Sequence, residues 1–105
     1  MSTRLPGAKY KRVFDSGRVL KGRLMSAWVL RHLDAGKQAG VVVSKKSFHD
    51  AVDRNRAKRI MREAFRLMAD EMPPDSEWVL VGRSSLKGKN TADVMAELRW
   101  MCEKC

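Results

Sequence analysis

The sequence predicts an α+β sandwich with helices laid on a four-stranded sheet. Three observations carry that expectation. Residues 24–33, read at the period of a strand, set one face of Leu24, Ser26, Trp28, Leu30 and His32 against another of Met25, Ala27, Val29, Arg31 and Leu33. The segment from about Phe48 or Asp50 to Met72 repeats its apolar residues at helical spacing until Pro73-Pro74 stops it. After one more apolar run, a second 3–4 spacing closes the chain. The order that results is α-β-β-β-α-β-α.

Residues 1–8 are expected to be loose, because Pro6 and Gly7 discourage regular structure. Lys9 to Asp15 forms a short helix ended by Ser16-Gly17, with Tyr10 and Phe14 at i and i+4 on one face. Arg18–Lys21 and Leu24–Leu33 read as strands divided by Gly22. In the second, Ser26, Trp28 and Leu30 share one side, and Met25, Ala27 and Val29 share the other. Asp34-Ala35-Gly36 suits a hairpin turn, and the β-branched run Gly40–Ser44 suits a central strand. Glu77–Arg83 is a further strand, and Ser84–Asn90 is a Gly/Ser/Lys loop. Asn90 or Thr91 then caps a helix whose Val94, Met95, Leu98, Met101 and Cys102 face one way. Trp28, Trp78, Trp100, Phe48 and Phe65 all fall in apolar patterns and read as core.

A chain of 105 residues makes one small domain with a single modest core. Its charge is unusual, with 22 Lys and Arg against 12 acids, net +10. Residues 1–66 hold 17 basic and 5 acidic side chains, net +12, whereas residues 67–105 hold 5 and 7, net −2. A polyanion relieves self-repulsion of that size and is the natural partner. No apolar run is long enough to span a bilayer, and neither a lipidation signal nor a signal-peptide core is apparent, so we expect a cytoplasmic protein with no membrane partner. Cys102 and Cys105 form a terminal C-x-x-C without the second ligand pair that zinc needs, and we read them as reduced thiols.

The basic charge is densest in Arg54-Asn55-Arg56-Ala57-Lys58-Arg59-Ile60-Met61-Arg62-Glu63-Ala64-Phe65-Arg66. At 100° per residue, Ala57, Ile60, Met61, Ala64, Phe65 and Met68 cluster on one side of a helix. Asn55, Arg59, Arg62 and Arg66 lie opposite, with Lys58 on the flank. Guanidiniums in such a row fork onto phosphate oxygens, and Asn55 can donate to phosphate or sugar. Glu63 is the only acid between Arg54 and Leu67, so intrahelical pairing does not account for the surplus. Ser44-Lys45-Lys46-Ser47 adds a second basic cluster just upstream. Tyr10 and Phe14, set among Lys9, Lys11 and Arg12, have the composition of a single-strand stacking site and equally that of two rings packed on a core. No catalytic residue or metal site is predicted. His32 and His49 stand alone, the acids are scattered, and Gly82 and Gly88 do not make a phosphate loop.

The run Ala51–Arg66 resembles the RNR signature of the protein component of bacterial ribonuclease P almost throughout. Val42-Val43-Ser44-Lys45-Lys46 is similar to that family's upstream strand and lysine pair, and Tyr10-Lys11-Arg12-Val13-Phe14 with Gly17 is similar to its N-terminal aromatic helix. Trp78-Val79-Leu80-Val81 and the closing helix also fit, so the resemblance covers roughly residues 9–102. It implies the order above with a left-handed βαβ crossover, against the general rule for such connections. It implies a protein subunit of a ribonucleoprotein endonuclease whose RNA subunit, with Mg²⁺ bound mainly by RNA and substrate, removes the 5′ leader of precursor tRNA. Ribonuclease P RNA and precursor tRNA are then the partners, and no obligate protein partner is inferred. By position, Arg54, Asn55, Arg56, Lys58, Arg59 and Arg62 would face the catalytic RNA. Tyr10 and Phe14 would line the leader cleft, bordered by Ser44, Lys45 and Lys46. The chain departs from several members at Ser47-Phe48-His49-Asp50, where Asp50 brings a negative charge. The competing classes are a non-catalytic RNA-binding protein and a metal-dependent nuclease acting alone.

Overall fold

The computed structural model describes residues 4–33 and 35–104. Its elements follow the expected order: α1 (Tyr10–Ser16), β1 (Arg18–Lys21), β2 (Met25–Arg31), β3 (Lys37–Val42), α2 (Ala51–Leu67), β4 (Ser76–Gly82) and α3 (Thr91–Lys104). Short 3-10 turns at Gly7–Lys9 and Ser84–Leu86 precede α1 and α3.

The four strands are ordered β1-β2-β4-β3. β2 is antiparallel to both β1 and β4, and β3 runs parallel to β4. Two expectations are corrected here. The 34–36 segment, of which Asp34 lies outside the described residues, joins no hairpin, because β4 lies between β2 and β3. Instead, the Gly36 carbonyl accepts the Ser76 N–H at 2.8 Å and ties this segment to the start of β4. The valine-rich β3 is an edge strand, not a central one. A parallel pair needs a long crossover, and α2 supplies it, so β4 returns beside β3 with its other edge open to β2.

Cover on several sides explains the apolar run at this edge. Ala39, Val41 and Val43 are buried in the same core as α2, while Val42 packs into the smaller core on the α1 side. The free edge is partly capped by the N-terminal segment. Arg4 bridges Ala39, the Leu5 N–H donates to the Ala39 carbonyl at 3.0 Å, and Leu5 is buried. Residues 4 and 5 are therefore held, correcting the looseness expected of 1–8; residues 1–3 lie outside the described part. Such cover protects a strand edge from further pairing.

α2 buries Ala57, Ile60, Met61, Ala64 and Phe65, the face that its periodicity predicts. Burying Ile60, Met61 and Phe65 stabilises the helix by about 1.5–3 kcal/mol each. Against this stand like-charge neighbours at i+3 or i+4 (54/58, 56/59, 58/62, 59/62 and 62/66), each costing about 0.2–0.5 kcal/mol. Burial wins, so the helix holds a cationic face that its own charges oppose. The helix ends at Leu67, not Met72, with the Met68 N–H bonded back to Ala64 at 3.1 Å. Met68 and Met72 remain in the core through further turns, which is why the apolar spacing continues past the helix. α3 starts with a reciprocal cap: the Asp93 N–H donates to Asn90 Oδ1 and the Asn90 N–H to Asp93 Oδ2, both at 3.0 Å.

Candidate nucleic-acid interface

Of the cationic run on α2, three side chains serve the protein itself. Arg54 donates to the carbonyls of Phe48 at 2.9 Å and His49 at 2.8 Å, closing the turn before the helix. Arg56 donates to the Lys89 carbonyl at 2.8 Å and joins α2 to the loop before α3. Arg66 pairs with Glu63 one turn back, which holds the Glu63 carboxyl below its ordinary range and raises the guanidinium. Among the described residues, Asn55, Lys58, Arg59 and Arg62 hold no side-chain hydrogen bond or ion pair, and Asn55 and Arg59 are exposed. Arg59, Arg62 and Arg66 line an open groove of about 450 Å³ with Arg4, which the edge pairing of the N-terminal segment carries there. Arg4 was not singled out from sequence, because nothing local places residue 4 beside residue 39.

On the opposite side of the sheet, the register sorts side chains into cross-strand rows. Val19, Trp28, Val79 and Gly40 form one row, and Lys21, Ser26, Val81 and Val42 form the next. α1 covers the first. Val13 is buried with Val79, and the Tyr10 ring lies on Gly40, where any Cβ would overlap it. Phe14 meets Trp28 edge-on with centroids 5.0 Å apart, and its ring stays 37% exposed. The second row is left partly uncovered: Ser26 is half-buried, Val81 and Val42 are half-buried against the cluster of Leu5, Val13 and Val79, and Lys21 is exposed. The Phe14–Trp28 pair borders this row, since Trp28 lies two residues from Ser26 on the same side of β2.

Beyond Val42 the chain turns toward α2. Ser44 Oγ accepts the Ser47 N–H at 3.1 Å, and Lys45 and Lys46 stand exposed at the turn. Among the described residues, neither lysine has a side-chain bond. Of the sequence-predicted cleft residues, Tyr10 packs on Gly40 and Phe14 keeps the more open ring, while Ser44, Lys45 and Lys46 lie exposed past the end of β3. Trp28 was expected to be core and is instead half-buried, packed against Phe14 and the cluster of Leu5, Val13 and Val79. Trp78, Phe48 and Phe65 are buried as expected.

α1 is fastened by charge. Glu77, fully buried on the α1 side of β4, accepts a hydrogen bond from Arg12 Nη2 at 2.8 Å. His32 Nε2 lies 3.1 Å from the same oxygen, and Lys9 Nζ faces the other oxygen at 3.4 Å without hydrogen-bond geometry. Burial pushes the Glu77 carboxyl up, but the bonds from Arg12 and His32 outweigh it and hold the group below its ordinary value. This acid was read as one of a scattered set. The available signal was its alternation with Val79 and Val81, which sets a carboxylate on an inward-facing row.

Among the described residues, no group of three or more His, Cys, Asp or Glu side chains could hold a metal, and no helix is long and apolar enough to cross a membrane. The surface thus offers guanidiniums, amines and rings.

Comparison with known proteins places the chain in a family. The family model described as Ribonuclease P matches residues 5–105. The chain is 27% identical to the ribonuclease P protein component of Clostridium acetobutylicum over 99 residues, 92% of this chain and 82% of that protein. It is 32% identical to that of Thioalkalivibrio sulfidiphilus over 90 residues, 86% and 74% of the two chains. In fold it is similar to the ribonuclease P protein of Thermotoga maritima, with a TM-score of 0.83 at 22% identity over 97% of this chain and 96% of that one. It is likewise similar to the Staphylococcus aureus protein, with a TM-score of 0.79 at 23% identity over 99% and 94%. With the two-faced α2 and the uncovered row beside Phe14, these matches lead to one conclusion: the chain belongs to the ribonuclease P protein component family.

Proposed function

We propose that this chain is the protein subunit of a ribonucleoprotein endonuclease that generates the mature 5′ end of tRNA. The observation that carries the reading is the cationic face of α2, whose Asn55, Lys58, Arg59 and Arg62 have no protein partner among the described residues. Structured RNA supplies phosphates that guanidiniums and amines can meet, and each one neutralised releases counterions. Arg54, Arg56 and Arg66 frame the same surface and keep the helix seated. The uncovered row suits the single-stranded 5′ leader of precursor tRNA, with Phe14 offering a face for a base and Ser44, Lys45 and Lys46 meeting its backbone. The chain's part is to bind and orient. The hydrolytic chemistry would come from Mg²⁺ bound mainly by the RNA subunit and substrate.

Phe14→Ala tests the cleft. In an assembly with a bacterial ribonuclease P RNA, precursor tRNA should bind about 5- to 100-fold more weakly than with the unaltered chain, in line with one lost base–aromatic stack. Mature tRNA, which has no leader, should bind equally well to both. Equal loss on the two substrates, or a variant that melts well below the parent, would make Phe14 a packing residue and remove the cleft from the proposal.

A further inference from the structure

The far end of the uncovered row opens on a second groove, of about 860 Å³, that the roles above leave unused. Lys21, Gly22 and Arg23 form one wall, with Lys89, Glu97 and Trp100 on the other side. Trp100 was expected in the core. α3 buries Val94, Leu98 and Met101, and the Trp100 ring falls outside that stripe, 42% exposed.

The charges around the ring are unevenly committed. Glu97 accepts the Leu24 N–H at 3.0 Å and the Arg23 N–H as well, and Gly22 leaves the room for that carboxylate. Asp93 is taken by the cap of α3. The side chains of Lys21, Arg23 and Lys89, by contrast, hold no hydrogen bond or ion pair among the described residues. Lys104 Nζ adds a fourth cation 5.7 Å from the Trp100 ring centroid. A half-exposed indole with one cation over its ring and three more cations lining the same groove offers a stacking face with phosphate partners.

The groove and the row share Lys21. Lys21 pairs with Ser26 at the end of the uncovered row and also lines the groove. That row crosses three interstrand spacings from Val42 to Lys21, about 14 Å. A strand entering beside Ser44–Lys46 and crossing the row leaves the sheet at the groove's mouth. We propose that the groove is a second single-stranded RNA subsite, with a base stacked on Trp100 and phosphates met by Lys21, Arg23 and Lys89. It rests on reading the cleft as the path of a single strand, and it takes the more distal part of that strand. Every base has a π-face, so the subsite tolerates any sequence.

The test uses the whole chain and two labelled oligouridylate RNAs of about 4 and about 16 nucleotides, the limits of common single-strand site sizes. Trp100→Ala should weaken binding of the long RNA about fivefold or more and barely change the short one, and Trp100→Phe should recover most of the loss. Lys21→Gln with Arg23→Gln, both at exposed positions, should also weaken long-RNA binding and flatten its salt dependence by about two phosphates. Thermal melting checks that each variant folds. Unchanged long-RNA affinity in folded Trp100→Ala, or equal loss on both RNAs, overturns the proposal. So does a Trp100→Ala variant that loses self-association while keeping RNA affinity, since a second copy would then occupy the groove. If Phe14→Ala leaves the short RNA unaffected while Trp100→Ala still weakens the long one, the cleft reading fails and the groove stands.

Discussion

Arg59→Ala combined with Arg62→Ala should weaken binding of the ribonuclease P RNA by about 100-fold. Hydrogen bonds to charged groups contribute about 1.5–3 kcal/mol each. Two at the lower end amount to about 3 kcal/mol, roughly two orders of magnitude in affinity. The loss should be accompanied by a salt dependence shallower by about two phosphates. Folding stability should change by less than about 0.5 kcal/mol, because neither guanidinium has a partner among the described residues. Relief of the like-charge neighbours at 56/59, 58/62, 59/62 and 62/66 favours the variant slightly. Filter binding over a range of salt concentrations, with thermal melting alongside, measures both quantities. Unchanged affinity and slope would mean that RNA meets another face.

The second large effect lies at the clamp on α1. Arg12→Ala should destabilise the domain by about 2–3 kcal/mol, because it removes the hydrogen-bonded partner of a fully buried carboxylate. The figure sits at or below the low end for broken buried pairs, since His32 at 3.1 Å and Lys9 at 3.4 Å still face Glu77. Adding Glu77→Gln should recover part of the loss, since the charge stranded by Arg12→Ala is then gone. Urea denaturation of the two single variants and the double variant measures this coupling. Purely additive losses would mean that the ion pair does not fasten α1.

The same carboxylate gives the clamp its pH dependence. Glu77 titrates lower in the folded chain than in the unfolded one, so the folded state binds fewer protons. Its contribution is fully present above the ordinary glutamate value of 4.5 and is lost as pH falls below that toward the folded value. Acid should therefore loosen α1, and with it the Phe14–Trp28 wall. The parent chain should lose stability on acidification below pH 4.5 more steeply than Glu77→Gln.

What could be read from sequence follows how local each feature is. The buried stripe of α2, the cap of α3 and the rings of α1 depend on neighbours within one or two turns, and all stand where periodicity puts them. The places of Ser44, Lys45 and Lys46 followed from their position between a strand and the helix. The strand order did not, because pairing β4 with both β2 and β3 joins residues far apart in the chain. Arg4 at the guanidinium groove and Glu77 beneath α1 depend on the same nonlocal pairing. Trp100 shows a different gap. Its place in an apolar helix pattern indicated burial, but α3 has only one buried stripe and this position lies off it. The end of α2 was misplaced because Met68 and Met72 keep their apolar spacing through turns that are no longer helical.

The most direct test of an RNA-dependent role is reconstitution. A bacterial ribonuclease P RNA at low Mg²⁺ is given precursor tRNA, with and without this chain, and release of the 5′ leader is followed. The chain should stimulate cleavage at the mature 5′ end and do nothing without the RNA. No stimulation, or cleavage by the protein alone, would contradict the assignment of binding to this chain and chemistry to its RNA partner.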